Sequence, residues 1–577
     1  MSCTIPTETT PLLQEPDNNN LTRDERTTKH PESLWLAREV IENEDTEIEA
    51  SNGQSGSGSP FYGDYSKRQF WFMYGPILFM YFLANFDSTL MASSHPVITS
   101  YFQASNSASW LSTAFMLTST AFQPLFGRVS DTFGRRPLYI FSLVMFALTT
   151  LWCSLASSIG SFIAARAFCG LGAGGVVAMG SIITNDLIKI EFRGTYQAYI
   201  NLFYGLGAAS GAAFGGFLCD RLGWRLTFAV QVPPILILLI CGLFAVPSDL
   251  GPNLARHSGQ KWYQTLKGFD FAGSFCLIST TASLILGLNL GGNIFAWTHP
   301  IVVSALVTSV FAATLLVRIE SRVHRPVMPL SILSKSPRAN LVFSNFFSSL
   351  GINTIVFNAP LYFQAVKLDS ASMSGFRLAA PSVMQTISAV STGFFITYTG
   401  RMKSPQIVGA ICMLVGGIVL SSMWDGIPPW LATLFIVPPS LGQAFMFPAT
   451  SISVLAVSFH SDQAVMTTTL SLWRNLGTVM GVAISSLIVQ NGLRRYLDQY
   501  ITGADKIEII QSVRKSVSAI RDLDGLHQQE AIMAYAAALR LAFVSAIVYF
   551  VIVNMLILPI QLPRLGKGKV AADMEDE

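Results

Sequence analysis

The chain has 577 residues, of which 51% are hydrophobic and only 12% charged, with a mean hydropathy of +0.46. Soluble domains carry about 25% charged residues, so a chain this long and apolar cannot satisfy its surface with water alone and must be solvated by lipid. The net charge of +3 excludes the basic balance of a nucleic-acid binder, and the seven scattered cysteines read as small buried hydrophobes rather than a disulfide framework or a metal site.

Residues 1–66 are polar and rich in Asn, Thr, Ser and Glu, which predicts a disordered tail with no signal peptide. The tail holds Glu8-Thr-Thr-Pro-Leu12-Leu13, an acid four residues before a leucine pair. That spacing suits a sorting adaptor whose apolar pockets take the leucines, and it reads as an address for vacuole or lysosome membranes. From about Phe70 to Leu562, about 14 apolar segments of roughly 18 to 25 residues follow, each long enough to cross ~30 Å of hydrocarbon. They begin near Trp71, Ala108, Leu138, Ser161, Tyr196, Leu226, Phe271, Ile301, Leu341, Gly375, Gln406, Trp430, Ala464 and Leu541.

An even number of spans puts both tails on one side, and the loop charges say which. Loops on the tail side carry Arg128, Arg135, Arg136, Lys189, Arg193, Arg256, Lys261, Lys267, Arg318, Arg322, Arg325, Lys335, Arg338, Arg401 and Lys403, whereas the opposite short loops carry Arg221, Arg225, Lys367 and Arg377. Both termini are therefore expected in the cytosol. A longer connection at about 491–540 falls on the other side, with a surface helix expected around Ile507 to Ile520 from its helical periodicity.

Several polar residues interrupt the apolar runs. Between the second and third spans lies Gly127-Arg128-Val-Ser-Asp131-Thr-Phe-Gly134-Arg135-Arg136-Pro, a charged loop with glycines that let the chain turn. Asp87 falls inside the first span beside Asn85, where an ionised carboxylate needs a partner, a water-filled cavity or a proton. The fourth span holds Arg166-x-x-x-Gly170-x-Gly172, the fifth Gly207-x-x-x-Gly211-x-x-x-Gly215-Gly216, and the thirteenth Arg474-Asn-Leu-Gly477. Gly170 to Gly175 also fits the dinucleotide pattern Gly-x-Gly-x-x-Gly, but that pattern needs a preceding strand, and here helix packing explains it.

The loop Gly-x-x-x-Asp-x-x-Gly-Arg-Arg, the Arg-x-x-x-Gly-x-Gly of span four, the glycine repeat of span five, Gly223-Trp-Arg with Val232-Pro233 at the start of span six, and Arg474-x-x-Gly477 with Gly481 together resemble the major facilitator superfamily, in its 14-span drug:proton antiporter branch. The chain looks most like the fungal vacuolar basic amino acid transporters. One departure is Ala212, where the antiporter motif has proline after its second glycine.

The resemblance implies an all-α polytopic membrane protein with two six-helix halves, at 67–248 and 339–563, a linker with two extra spans at 249–338, and a short cytosolic tail at 564–577. It implies a monomeric carrier, not an enzyme, without cofactor or metal, exchanging protons for lysine, arginine or histidine across the vacuole membrane by alternating access. Residues 127–136 would form a cytosolic gate, with Asp186 as the candidate partner of its charges. Asp87, with Asn85, would carry proton or cargo. Arg166 reads either as modulator of Asp87 or as half of a static pair, and Arg474 either as a cargo contact or as packing against backbone carbonyls. Asn201, Asn289, Asn345, Asn353, Asn358 and Gln385 are further amides expected near cargo. The same motifs fit a drug, siderophore or metabolite exporter at the plasma membrane.

Overall fold

The computed structural model describes Phe61 and residues 66–565, apart from 103–107, 248–269, 292–294, 324–327, 329, 370, 424–425, 459–462, 503–505 and 516. Glu8, Leu12 and Leu13 lie outside the described residues, as does most of the tail expected at 564–577. The elements are helices: α1 (Lys67–Tyr101), α2 (Ala108–Ala121), α3 (Gln123–Phe133), α4 (Arg135–Leu155), α5 (Ile159–Leu187), α6 (Arg193–Leu222), α7 (Trp224–Ala229), α8 (Val232–Ala245), α9 (Phe271–Leu290), α10 (Pro300–Glu320), α11 (Leu330–Ser334), α12 (Arg338–Ala365), α13 (Ala371–Arg377), α14 (Ala379–Thr399), α15 (Lys403–Ser421), α16 (Pro429–Ala456), α17 (Gln463–Tyr500), α18 (Lys506–Lys515) and α19 (Gly525–Ile557).

With α2–α3 and α7–α8 each taken as one broken span, and the short α11, α13 and α18 set aside, the described residues make fourteen passages. Ten are long and apolar enough to cross a membrane. In lipid only hydrogen-bonded helices or closed barrels can satisfy every backbone group, which is why the apolar runs fold this way. Both breaks fall next to prolines, Pro124 at the start of α3 and Pro233 at the start of α8, where the missing N–H interrupts the helix ladder. Gly134 (φ +89°) and Gly223 (φ +77°) join α3 to α4 and α6 to α7 as single-residue turns. Side chains with a Cβ rarely adopt that backbone.

Helix pairing repeats between the first and second sets of six spans. In the first, α1 packs on α6 and α8, α5 on α2 and α4, and α4 on α8. In the second, α12 packs on α17 and α19, α16 on α14 and α15, and α15 on α19. The sets meet along two seams that are equivalent under this repeat, α6 with α14 and α3 with α17. The extra helices α9 and α10 pair with each other, and α9 lies against α2 and α17 beside the second seam. Their outward side is apolar and open, as at Val307, Val310 and Phe311, the arrangement lipid solvation calls for.

The last connection is shorter than the expected 491–540. α17 continues through Arg494 and Arg495 to Tyr500, and α19 begins at Gly525 rather than near Leu541. Hydropathy ends where the hydrocarbon ends, but the helical ladder runs on into polar residues that are themselves good helix formers. The expected surface helix is present as α18, followed by a 3-10 turn at Val517–Asp522. Tyr535 donates to the Val513 carbonyl at 3.1 Å and so pins α18 to α19.

Small residues set the helix separations, as they do where no hydrophobic effect drives helices together. A Cβ at Gly170 would strike the Phe115 carbonyl of α2, and one at Gly172 would lie 2.6 Å from the Phe146 nitrogen of α4. The dinucleotide-like glycines are thus contact points of α5. Gly75 of α1, by contrast, has nothing within 4 Å of such a Cβ. Replacing Gly172 by leucine is expected to cost at least ~1–3 kcal/mol through forced backbone movement, seen as lost monodisperse protein in fluorescence-detected size exclusion. Gly75→Ala is expected to be neutral or to gain up to about 1 kcal/mol from helix propensity; equal losses for both would refute this packing account.

Candidate functional site

Among the described residues, three groups of polar side chains inside the bundle hold the residues singled out from the sequence. The first is at the loop between α3 and α4. Because Gly134 reverses the chain in one residue, Arg135 at the start of α4 faces back into the bundle with 1% of its surface exposed. Its Nη1 donates to Asp131 Oδ1 and, at 2.9 Å, to Ser130 Oγ, while its Nε donates to Asp186 Oδ2 of α5 at 2.7 Å. One guanidinium thereby ties three helices. Such charge-assisted bonds are about twice as strong as neutral ones, and here both carboxylates are almost fully covered. Arg136 turns the other way and donates to the Leu243 carbonyl of α8. Arg128 is half-buried on α3.

Next to this cluster the two sets of spans are bonded together. Arg193, at the start of α6, donates from Nη2 to the Asn185 carbonyl at 2.7 Å and to Gln463 Oε1 of α17 at 3.0 Å. Asn185 Nδ2 donates to Thr467 Oγ1 at 3.3 Å, and the Thr195 amide donates to Thr397 Oγ1 of α14 at 2.8 Å. Gly127 of α3 sits so close to α17 that a Cβ there would lie 2.6 Å from Thr468 Oγ1. Both seams are therefore closed at the end that carries Gly134. Sequence reasoning counted Arg193 only as a loop charge and missed Asn185, Gln463, Thr467 and Thr397. These partners are up to 282 positions apart and carry no local pattern.

The second cluster is nearer the opposite end. Arg166 Nη1 of α5 donates to Asp87 Oδ2 of α1 at 2.7 Å, with 1% and 0% of the two side chains exposed. The guanidinium carbon lies 4.4 Å from the centre of the Phe115 ring, a cation–π contact, and the Cys169 sulfur is 3.9 Å from both partners. The pair is only half satisfied: Asp87 Oδ1 and Arg166 Nε are buried without a hydrogen-bond partner. Asn85 is not part of it, since its amide donates to the Tyr81 carbonyl of its own helix at 2.8 Å. The glycines of α6 bring that helix onto α1 alongside: Gly207 against Phe82, and Gly211 against Phe86 and Thr89. Gly215 is buried one turn further on, with Gly216 next to it in the same helix.

The third cluster surrounds Arg474 of α17. Its guanidinium carbon lies 4.3 Å from the centre of the Phe447 ring of α16, and Tyr81 of α1 and Tyr204 of α6 are its other electrostatic neighbours. Among the described residues no hydrogen bond joins it to a backbone carbonyl, so of the two alternatives drawn from the sequence the packing against carbonyls is not what surrounds it. Among the amides expected near cargo, Asn345 and Asn358 are spent on the carbonyls of Leu470 and Thr354. Asn353 donates to Thr478 Oγ1 at 3.2 Å and Gln385 to Gln443 Oε1 at 2.8 Å. Asn201 accepts from Gln197 but leaves its Nδ2 buried and unpaired. The side chain of Asn289 lies outside the described ones.

Comparison with known proteins finds relatives of this chain and of its fold. The model of the Major Facilitator Superfamily matches residues 77–482. The chain is 33% identical over 467 residues to "Multidrug resistance protein fnx1" of Schizosaccharomyces pombe, covering 80% of this chain and 87% of that one. It is 32% identical over 443 residues to "Vacuolar basic amino acid transporter 2" of Saccharomyces cerevisiae, covering 75% and 94%. In fold it is similar to the human organic anion transporter MFSD10, with a TM-score of 0.55 at 13% identity over 86% of this chain and all of that one. The chain is a multi-pass membrane transporter that belongs to the major facilitator superfamily.

Proposed function

We propose that this transporter exchanges protons for amino acids, foremost lysine, arginine and histidine, across the vacuolar membrane by alternating access, with both termini in the cytosol. The observation that carries the coupling is the buried Asp87 carboxylate, half used by Arg166 and with its second oxygen unpartnered. Inside a membrane such a group is a functional site by default. A proton arriving on Oδ1 neutralises the carboxylate and leaves the Arg166 charge unbalanced. That imbalance favours a different packing of α1 against α5 and so links proton uptake to conformation. Asp87 has no exposed surface and already faces a cation, so its role is proton carriage rather than contact with cargo.

The loop cluster supplies the gate. With the charge bias of the loops placing Gly134 on the cytosolic side, Arg135 and the bonds from Asn185, Arg193 and Thr195 hold the cytosolic end shut. Opening that end requires the two sets of spans to part at Gln463, Thr467 and Thr397. The substrate class and the vacuolar address are supported by similarity to a vacuolar basic amino acid transporter and by the dileucine at Leu12-Leu13, which would engage a sorting adaptor. A second reading, a proton-coupled exporter of drugs or metabolites at the plasma membrane, is favoured by the similarity to a multidrug resistance protein.

Two experiments test these assignments. In isolated vacuoles or proteoliposomes, Asp87→Asn is expected to reduce gradient-driven uptake of labelled lysine, arginine and histidine by at least about tenfold at normal abundance. The asparagine keeps an acceptor for Arg166 but takes no proton. Undiminished uptake by that variant eliminates Asp87 as the coupling site, and absence of gradient-driven uptake by the wild type eliminates the amino-acid reading. Arg135→Ala leaves two buried carboxylates facing each other, and breaking such a network costs ~3–5 kcal/mol. A cysteine placed at Thr468 is then expected to react with a cytosolic maleimide several-fold faster than in the parent; an unchanged rate argues against the gate.

A further inference from the structure

Arg474 differs from the other buried arginines of the bundle. Arg135 faces two carboxylates, Arg166 faces one, and Arg193 faces carbonyl and amide oxygens. Arg474 has Phe447, Tyr81 and Tyr204 around it. Among the described residues no carboxylate pairs with it and no hydrogen bond leaves its guanidinium. It sits deep in the bundle, yet it keeps accessible surface, and its neighbour Tyr204 is 49% exposed. A group that is both deep and accessible lines an internal cleft. That cleft lies between the sets of spans, since Arg474 and Phe447 come from the second and Tyr81 and Tyr204 from the first.

The chemistry of the group says what it would hold. The Phe447 ring covers one face of the guanidinium, a contact that leaves the N–H donors around its edge in place. Those donors form a planar fork that matches a carboxylate bidentately. No acidic side chain offsets the charge here, and the intramembrane carboxylate Asp87 is closed off by Arg166. A cargo cation finds no partner at this level, whereas a cargo anion does. Resting on the amino-acid reading above, we infer that Arg474 is the subsite for the carboxylate of the cargo. The carrier therefore selects its amino acid by the α-carboxylate, with the cationic side chain directed away from Arg474 toward tyrosine and amide groups.

The test uses the purified full-length protein and ligand-induced thermal stabilisation, with lysine and lysinamide as a matched pair and benzoate and benzamide as a second pair. Lysine is expected to bind at least tenfold more tightly than lysinamide. Arg474→Gln is expected to erase that ratio, and Arg474→Lys to keep part of it as a point charge without the fork. Equal binding of lysine and lysinamide to the wild type overturns the assignment without using any variant, as does a tenfold preference that survives in Arg474→Gln. If lysine, arginine and histidine all fail to bind while benzoate is preferred over benzamide and Arg474→Gln abolishes that preference, the amino-acid reading falls and the carboxylate subsite stands. If no carboxylate is preferred over its amide, the subsite falls as well.

Discussion

An ionised group removed from water and given no partner costs several kcal/mol even after the protein relaxes around it, and the two ion-paired clusters of this carrier are arranged around that constraint. Arg135 is tolerable at 1% exposure because two carboxylates and a hydroxyl surround it. Asp87, with no exposure at all, is tolerable because Arg166 faces one of its oxygens. Each cluster leaves one buried carboxylate oxygen without a hydrogen-bond partner, Asp131 Oδ2 in the first and Asp87 Oδ1 in the second, and they differ in how many helices they join. The loop cluster spreads its bonds over α3, α4 and α5 and behaves as a clasp. The span cluster leaves an oxygen and a nitrogen unused, which makes its energy sensitive to a single proton.

The rest of the bundle supports these clusters by bringing backbones close. Gly207 and Gly211 seat α6 on α1, Gly170 and Gly174 seat α5 on α2, and Gly477 and Gly481 seat α17 on α12. In α15, Gly416 leaves the notch that the ring of Pro439 from α16 fills. These contacts are rigid because backbone atoms, unlike long side chains, have no alternative rotamers. The seams between the sets have such notches too, Gly127 against Thr468 and Gly194 against Gly393, and add to them the polar bonds of Asn185, Arg193 and Thr195.

Much of the architecture was legible because lipid imposes simple rules. Span starts such as Ala108, Phe271 and Ala464 fall within a few residues of the observed helices, since hydropathy and helix formation coincide inside the hydrocarbon. They part company outside it, which is why the connection expected at 491–540 shrank to the residues between Tyr500 and Gly525. The loop at Gly127 to Arg136 was readable as a unit because its residues are contiguous. The bonds from Arg193 to Gln463 and from Asn185 to Thr467 were not, because they depend on which faces meet across nearly half of the sequence. The partners of the amides were not legible either: composition gives the number of Asn side chains in a span, but the Leu470 carbonyl that takes the Asn345 amide is brought near only by the packing of α12 on α17.

The extra helices break an otherwise balanced design. The seam of α6 with α14 and the seam of α3 with α17 have the same helix pairing, yet only the second has α9 laid beside it, in contact with both α2 and α17. Neither α9 nor α10 packs on the seam of α6 with α14. Parting along the second must also shear a protein layer that grips both sides. The second seam is then the stiffer of the two, braced on its outer side by a helix pair that the first seam lacks.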